Sequence, residues 1–205
     1  MELYLVRHGA VEEGPVGPRA DPPLSAAGRA QAQALAARLA GVRFDRCFAS
    51  PLVRAQETAL LLVTDRKLAL ETYVCLKEGS FGELDGVPRE ERQRRWPEYF
   101  RLGQTVLPRL AATGRTAPGG ETRAEFVARA AAGVELLREP LFARDVRALV
   151  VSHGGLLCFL IAQLLGHEPR DEATYGFDNC AVARVIAYSE APAYGPFAML
   201  HFGAP

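Results

Sequence analysis

Two short segments concentrate residue types able to do chemistry. Arg7-His8-Gly9 follows the apolar run Leu3 to Val6, and Ser152-His153-Gly154-Gly155 follows the apolar run Val146 to Val151. Arg54 and Glu78 complete the candidate set. Metal-free phosphoryl transfer needs these parts: cationic donors for the phosphoryl oxygens, an in-line nucleophile and an acid for the leaving oxygen. Arginine suits the first task, because its guanidinium stays charged and its fork matches two phosphate oxygens. Neutral imidazole suits the second, since an unperturbed pKa of about 6.5 leaves a ring nitrogen free near neutrality. A protonated carboxylic acid can serve the third. Spacing alone does not choose between the histidines. Glu83 and Asp85 also compete with Glu78 in one loop.

Rival chemistries fail on spacing. A cysteine phosphatase needs Cys-x5-Arg, and Cys47 and Arg54 miss it by one residue with Pro51 between them. His153-Gly154-Gly155 has the look of an esterase oxyanion loop, but the chain has no G-x-S-x-G elbow. His167-Glu168 is followed by Pro169, so it makes no H-E-x-x-H zinc helix, and there is no Walker A lysine loop. Metal and nucleotide chemistries therefore lose.

The elements that must position these residues are legible as a pattern. Leu3 to Val6, Arg46 to Ala49 and Val146 to Val151 read as short buried strands, and Leu68 to Leu76 reads as extended. Ser25 caps a predicted helix through Ala40, with Leu35 and Leu39 on one face and Gly41 as its stop. Ser50-Pro51 opens a second helix to about Val63, with Pro51 in its first turn. Further helices are predicted over Glu121 to Glu139 and Leu156 to Leu165, with His167 after Gly166 at the end of the latter. Two extended segments close the chain, about Ala181 to Tyr188 and Phe197 to Phe202. Alternating strands and helices imply an α/β sandwich with a largely parallel central sheet. In such sheets functional loops collect beyond the carboxyl ends of the strands. Both histidine motifs stand at such ends, so the two are expected to share one crevice.

Length and composition bound the rest. The 205 residues fit one domain spanning 1–205, and the polar, proline-broken stretch around 88–119 reads as a helical cap-like insertion. Basic and acidic residues balance at 24 each, so no global field attracts nucleic acid or an anionic membrane. Cys47, Cys75, Cys158 and Cys180 are widely spaced in apolar runs, which reads as reduced core thiols. The first residues have no basic n-region or long apolar stretch, and Leu156 to Leu165 is too short to span a bilayer. A cytoplasmic protein is the expectation.

Five ordered segments also carry a family resemblance. Leu5-Val6-Arg7-His8-Gly9 resembles the signature of the histidine phosphatase, or phosphoglycerate mutase-like, superfamily. Asp21-Pro22-Pro23-Leu24-Ser25 through Gly28, Gln31 and Ala32 resembles its first-helix start. Ser50 to Ala59, Leu76 to Gly86 and Val150 to Gly155 resemble the segments holding its second phosphate arginine, its proton donor and its second histidine. The resemblance implies a three-layer sandwich, helices flanking the largely parallel sheet. It implies that His8 is phosphorylated while Arg7, Arg54 and His153 hold the phosphoryl oxygens. It implies that Glu78 protonates the leaving alcohol and then deprotonates the attacking water. Gly154 would let the backbone approach phosphate at a helix N-terminus, although a tight turn explains it equally.

The implied activity is hydrolysis of a small phosphomonoester, with no metal, no cofactor and no nucleic-acid or membrane partner. A homo-oligomer is compatible with the sequence but not readable from it. Mutases of this family usually carry a serine-x-x-asparagine pattern soon after the signature glycine, and Ala10-Val11-Glu12-Glu13-Gly14 lacks it. Phosphoglycerate mutase-type transfer is thus the alternative. A non-catalytic phospho-ligand binding module comes behind both, because its mark, a lost nucleophile or acid, is absent. Sugar phosphates, phosphoserine, α-ribazole phosphate and nucleotide-derived phosphates all fit as substrates. Arg92, Arg94 and Arg95, next to Trp96, read as a solvated helix face, with a surface for the substrate's non-phosphate half as the alternative.

Overall fold

A computed structural model describes residues 2–12, 21–64, 66–95, 97, 118–138, 146–167, 176–187 and 197–203. Its strands are β1 (Glu2–Arg7), β2 (Arg46–Ala49), β3 (Leu70–Thr72), β4 (Arg147–Ser152), β5 (Val182–Ala187) and β6 (Phe197–Gly203). Its α-helices are α1 (Ala26–Arg38), α2 (Val53–Val63), α3 (Arg89–Arg95), α4 (Arg123–Arg138) and α5 (Gly154–Leu164). The strands form one sheet in the order β3-β2-β4-β1-β5-β6. The four strands β3, β2, β4 and β1 run parallel, while β5 is antiparallel to β1 and β6 antiparallel to β5. The predicted sheet is therefore largely parallel, with an antiparallel hairpin on one flank.

Period-two alternation splits the strand residues between two cores. Leu3 and Leu5, Phe48, Ala148 and Val150, and Ala183 and Val185 face α4 and α5. Tyr4 and Val6, Cys47 and Ala49, and Leu149 and Val151 face α1 and α2. Helical spacing answers from either side, with Phe126, Ala130, Val134 and Leu137 on α4 and Ala55, Ala59, Leu62 and Val63 on α2. The result is a three-layer sandwich. Each fully buried leucine of these cores is worth about 1.5–3 kcal/mol of transfer free energy.

Helix ends follow local chemistry. The Ser25 hydroxyl accepts the Gly28 N–H at 3.1 Å and caps α1 as expected. Thr122 and Glu125 form a reciprocal capping box at the start of α4. Gly166 adopts φ 73°, and the His167 N–H reaches back to the Ala162 carbonyl at 2.8 Å, closing α5. Among the described residues none of the four cysteines forms a disulfide. Burial pushes the Cys47 thiol up to about 12 and Cys180 up to about 11, which leaves both inert at neutral pH.

Several boundaries differ from the sequence reading: α1 ends at Arg38 rather than Ala40, and α4 begins at Arg123 rather than Glu121. β3 covers only Leu70–Thr72, because Val74–Leu76 turns into a 3₁₀ helix. α5 begins at Gly154, two residues before its apolar run. α2 begins at Val53, so Pro51 lies outside it; its first N–H is capped by Asp21, far away in sequence. Of the segment around 88–119, α3 is the described helix, and 98–117 lies outside the described residues, as do Trp96 and the side chain of Arg92. Among the described residues no helix is long and apolar enough to cross a membrane.

Candidate active site

The parallel strands β2, β4 and β1 lie side by side and end at one edge. The residue following each is polar: Ser50, His153 and His8. The ladder continues one step beyond the strands, with the His8 N–H donating to the Ser152 carbonyl and the Ser50 N–H to the Val151 carbonyl, both at 3.0 Å. His8 and His153 thereby stand with ring centroids 5.0 Å apart. The two motifs share one crevice.

His8 is buried, and its Nδ1 lies 2.7 Å from the Gly9 carbonyl. A carbonyl only accepts, so Nδ1 carries the proton and Nε2 presents a lone pair. The Arg54 Nε–H points at that lone pair from 3.3 Å. Burial first, then the charges of Arg54 and Arg7, lower the His8 pKa to about 3, against the pull of the Gly9 bond. His8 is therefore neutral at physiological pH.

His153 is fully buried, with Nε2 2.8 Å from the Ser50 hydroxyl. Burial, followed by His8, Arg54 and Arg7, holds it well below the ordinary histidine range. Arg54 is itself only 6% exposed, and burial lowers its pKa while Glu78 and Asp21 raise it.

Arg7 Nη1 donates to the Phe177 carbonyl, while buried Arg7 Nε and His153 Nδ1 find no hydrogen-bond partner among the described residues. Burying such groups unpaired costs about 1–3 kcal/mol each. Two of them in one crevice are a charge on stability that an anion's oxygens would offset. Gly154 lies against Arg7; a Cβ there would sit 3.5 Å from Nε. The Glu78 carboxylate accepts the Gly79 N–H at 3.0 Å and the Gly155 N–H at 3.2 Å, so it caps α5 beside the two histidines. Its competitors lie differently: Glu83 is exposed, and Asp85 binds the Ser80 hydroxyl at 2.8 Å and the Phe81 N–H at 3.1 Å, shaping its own loop. Arg94 and Arg95 pair with Glu91 on the exposed side of α3.

Four further residues support the crevice without having been singled out from the sequence. Asp21 accepts the Val53 N–H at 2.9 Å and pairs with Arg54 Nη1 at 3.3 Å. Thr58 Oγ1 accepts the Gly9 N–H at 3.1 Å and donates to the Arg54 carbonyl at 2.8 Å. Ser50 orients His153, and Asn179 donates to the His8 carbonyl at 2.9 Å. Asp21, Ser50 and Thr58 stand in the family-like segments, so a signal existed for them. Asn179 had none.

The crevice thus collects two guanidinium groups, two neutral imidazoles and a carboxylate, a donor set for a phosphoryl group. Residues 3–194 match the sequence model of the histidine phosphatase superfamily (branch 1). The chain belongs to that superfamily. Among its relatives, the adenosylcobalamin/alpha-ribazole phosphatase of Escherichia coli (strain K12) is 34% identical over 169 residues, 81% of this chain and 80% of the relative. The 2,3-bisphosphoglycerate-dependent phosphoglycerate mutase of Methylobacterium sp. (strain 4-46) is also 34% identical, over 177 residues and 80% of each chain. The crystal structure of the alpha-ribazole phosphatase from Shigella flexneri superposes with a TM-score of 0.82 at 26% identity, covering 98% of this chain and 96% of that one. This histidine phosphatase superfamily member is an enzyme of the phosphatase or mutase type.

Proposed function

We propose that the protein is a phosphomonoesterase that hydrolyses a small phosphorylated metabolite through a phosphohistidine on His8. One observation carries the reading. Nδ1 of a buried, neutral His8 is fixed on the Gly9 carbonyl, which aims the Nε2 lone pair into a crevice lined by Arg54 and His153. Nε2 attacks phosphorus in line, and the bond from phosphorus to the ester oxygen breaks. Glu78 gives its proton to the departing alkoxide. Arg7, Arg54 and His153 hold the three phosphoryl oxygens, with Gly154 letting the chain approach them. Water then attacks the phosphohistidine, losing its proton to Glu78, and inorganic phosphate leaves with His8 neutral again. The arginines supply the positive charge that metal ions give other phosphatases, so the reaction runs without one.

Hydrolysis is favoured over mutase transfer by the loop after Gly9, where Ala10 to Gly14 lacks serine and asparagine. Similarity to the Methylobacterium mutase favours the second reading. The alpha-ribazole phosphatase relatives make α-ribazole phosphate a first substrate to assay. Rapid acid-free quenching with ³²P-labelled substrate tests the intermediate. Label should enter the wild-type protein as a base-stable, acid-labile adduct and be absent from His8→Ala. Turnover by His8→Ala at the wild-type rate would end the proposal. Release of inorganic phosphate, rather than exchange between phosphoglycerates, separates the two readings.

A further inference from the structure

Glu78 lies in irregular chain between two 3₁₀ turns, Val74–Leu76 and Gly82–Leu84, so no helix or strand holds it in place. General acid catalysis is sensitive to position, and a misplacement of about 1 Å can cost 10²-fold. Something outside the loop must fix it. Arg129, on α4, reaches across to the loop and donates Nη1 to the carbonyls of Lys77 and Cys75, the latter at 3.2 Å. Its Nε and Nη2 bind the two carboxylate oxygens of Glu121, each at 2.7 Å. The Glu121 backbone N–H in turn donates to the Ser80 carbonyl at 2.9 Å. The two partners of one ion pair therefore hold the chain on both sides of Glu78, Arg129 through its side chain at Lys77 and Glu121 through its backbone at Ser80.

The grip is built rather than incidental. Both side chains are largely sequestered, 17% and 16% exposed, and the Arg129 guanidinium packs over the Phe126 ring at 5.0 Å. Phe126 and Ala130 anchor the same stretch of α4 in the core. A planar, five-donor guanidinium serves two carbonyls and both oxygens of a carboxylate at once, four bonds where an ammonium has three donors. Glycines close the remaining side: Gly82 has φ +59°, and a Cβ on it would meet the Gly120 nitrogen and the Pro118 oxygen at 2.3 Å. The Glu78 loop is thus pressed onto the segment that delivers Glu121.

We propose that the Arg129–Glu121 ion pair is the positioning device that holds Glu78 in register with the phosphoryl site. The inference rests on the reading of Glu78 as the general acid. The test measures single-turnover rates on 4-nitrophenyl phosphate and on an alkyl phosphate with the same enzyme preparation. Their ratio is independent of the fraction folded. Nitrophenolate leaves without a proton, whereas an alkoxide needs one, so the alkyl-to-aryl ratio reports the acid alone. Arg129→Met should lower that ratio by about 10- to 100-fold. It should lower it no further in the Glu78→Gln background, where the acid is already gone. Glu121→Gln, which keeps the backbone N–H and is the gentler change, should move the ratio in the same direction, and it carries the test if Arg129→Met fails to fold. If Glu78→Gln lowers the ratio and both pair variants leave it unchanged, the positioning role is overturned while the acid stands. If Glu78→Gln itself leaves the ratio unchanged, the acid assignment falls and the positioning proposal with it.

Discussion

Arg54 Nε stands 3.3 Å from His8 Nε2, donating to the nitrogen that the proposed mechanism needs bare. The guanidinium therefore covers the nucleophile, and its Nη1 is held by Asp21 at 3.3 Å. An incoming phosphoryl group offers Arg54 a dianion in place of a neutral imidazole, which is the stronger charge-assisted partner. Substrate binding and exposure of the Nε2 lone pair then become one event.

Removing that arginine should cost transition-state binding and also relax the histidine. Arg54→Ala should lower kcat/KM for 4-nitrophenyl phosphate by about 10²–10³-fold. It should also raise the His8 pKa above about 3, because the second-largest cause of its depression is gone. Imidazole ¹⁵N shifts followed against pH read the second effect. A His8 titration unmoved by the substitution would mean that burial alone sets it.

Stability should depend on pH through the same two histidines. In the unfolded chain each takes up a proton near its ordinary value of 6.5, whereas folded His8 resists until about 3 and folded His153 is held well below 6.5. The unfolded state binds more protons in that window, so stability rises with pH there. The contribution is complete above about pH 6.5 and is lost as pH falls toward 3. The slope should approach about 1.4 kcal/mol per pH unit for each histidine. Urea unfolding between about pH 5 and pH 7, above the range where most carboxylates titrate, checks this. His8→Asn should flatten the slope, and an unchanged slope would contradict the burial argument.

The loop after His8 is seated by backbone contact. A Cβ on Gly28 would lie 1.9 Å from the Ala10 carbonyl oxygen, and one on Gly9 would lie 2.6 Å from that of Gly28. Backbone cannot step aside as a flexible side chain can. Gly28→Ala should therefore destabilise by about 3 kcal/mol or more. Gly41→Ala, where a Cβ meets nothing within 4 Å, should stay within about 0.5 kcal/mol of wild type. Thermal melts of the two variants side by side make the comparison, and equal losses would contradict it.

Metal independence is open to a direct test. Activity on an aryl phosphate should survive dialysis against EDTA, since the two arginines supply the positive charge. Complete loss restored by Mg²⁺ would overturn the mechanism proposed above.

The features legible in the chain are local and periodic. Strand alternation in Leu3 to Val6, the Ser25 cap and the polar residues at the strand ends are written within a few residues of one another. So were the family-like motifs around His8, Arg54, Glu78 and His153. Packing in three dimensions sets who stands beside whom. The placing of β4 between β2 and β1 seats His153 between Ser50 and His8, and it depends on which apolar faces pair across more than a hundred residues. The start of α2 was misread because its cap comes from Asp21, 32 positions away, where local propensity at Pro51 carries no information. Nothing in the sequence marks Arg129 out among the charges of its helix. Its grip on the Glu78 loop exists only because α4 packs beside the turn at Val74–Leu76. Caps and periodicities act over a turn or two of chain, whereas hydrogen-bond partners in a crevice are assembled by packing.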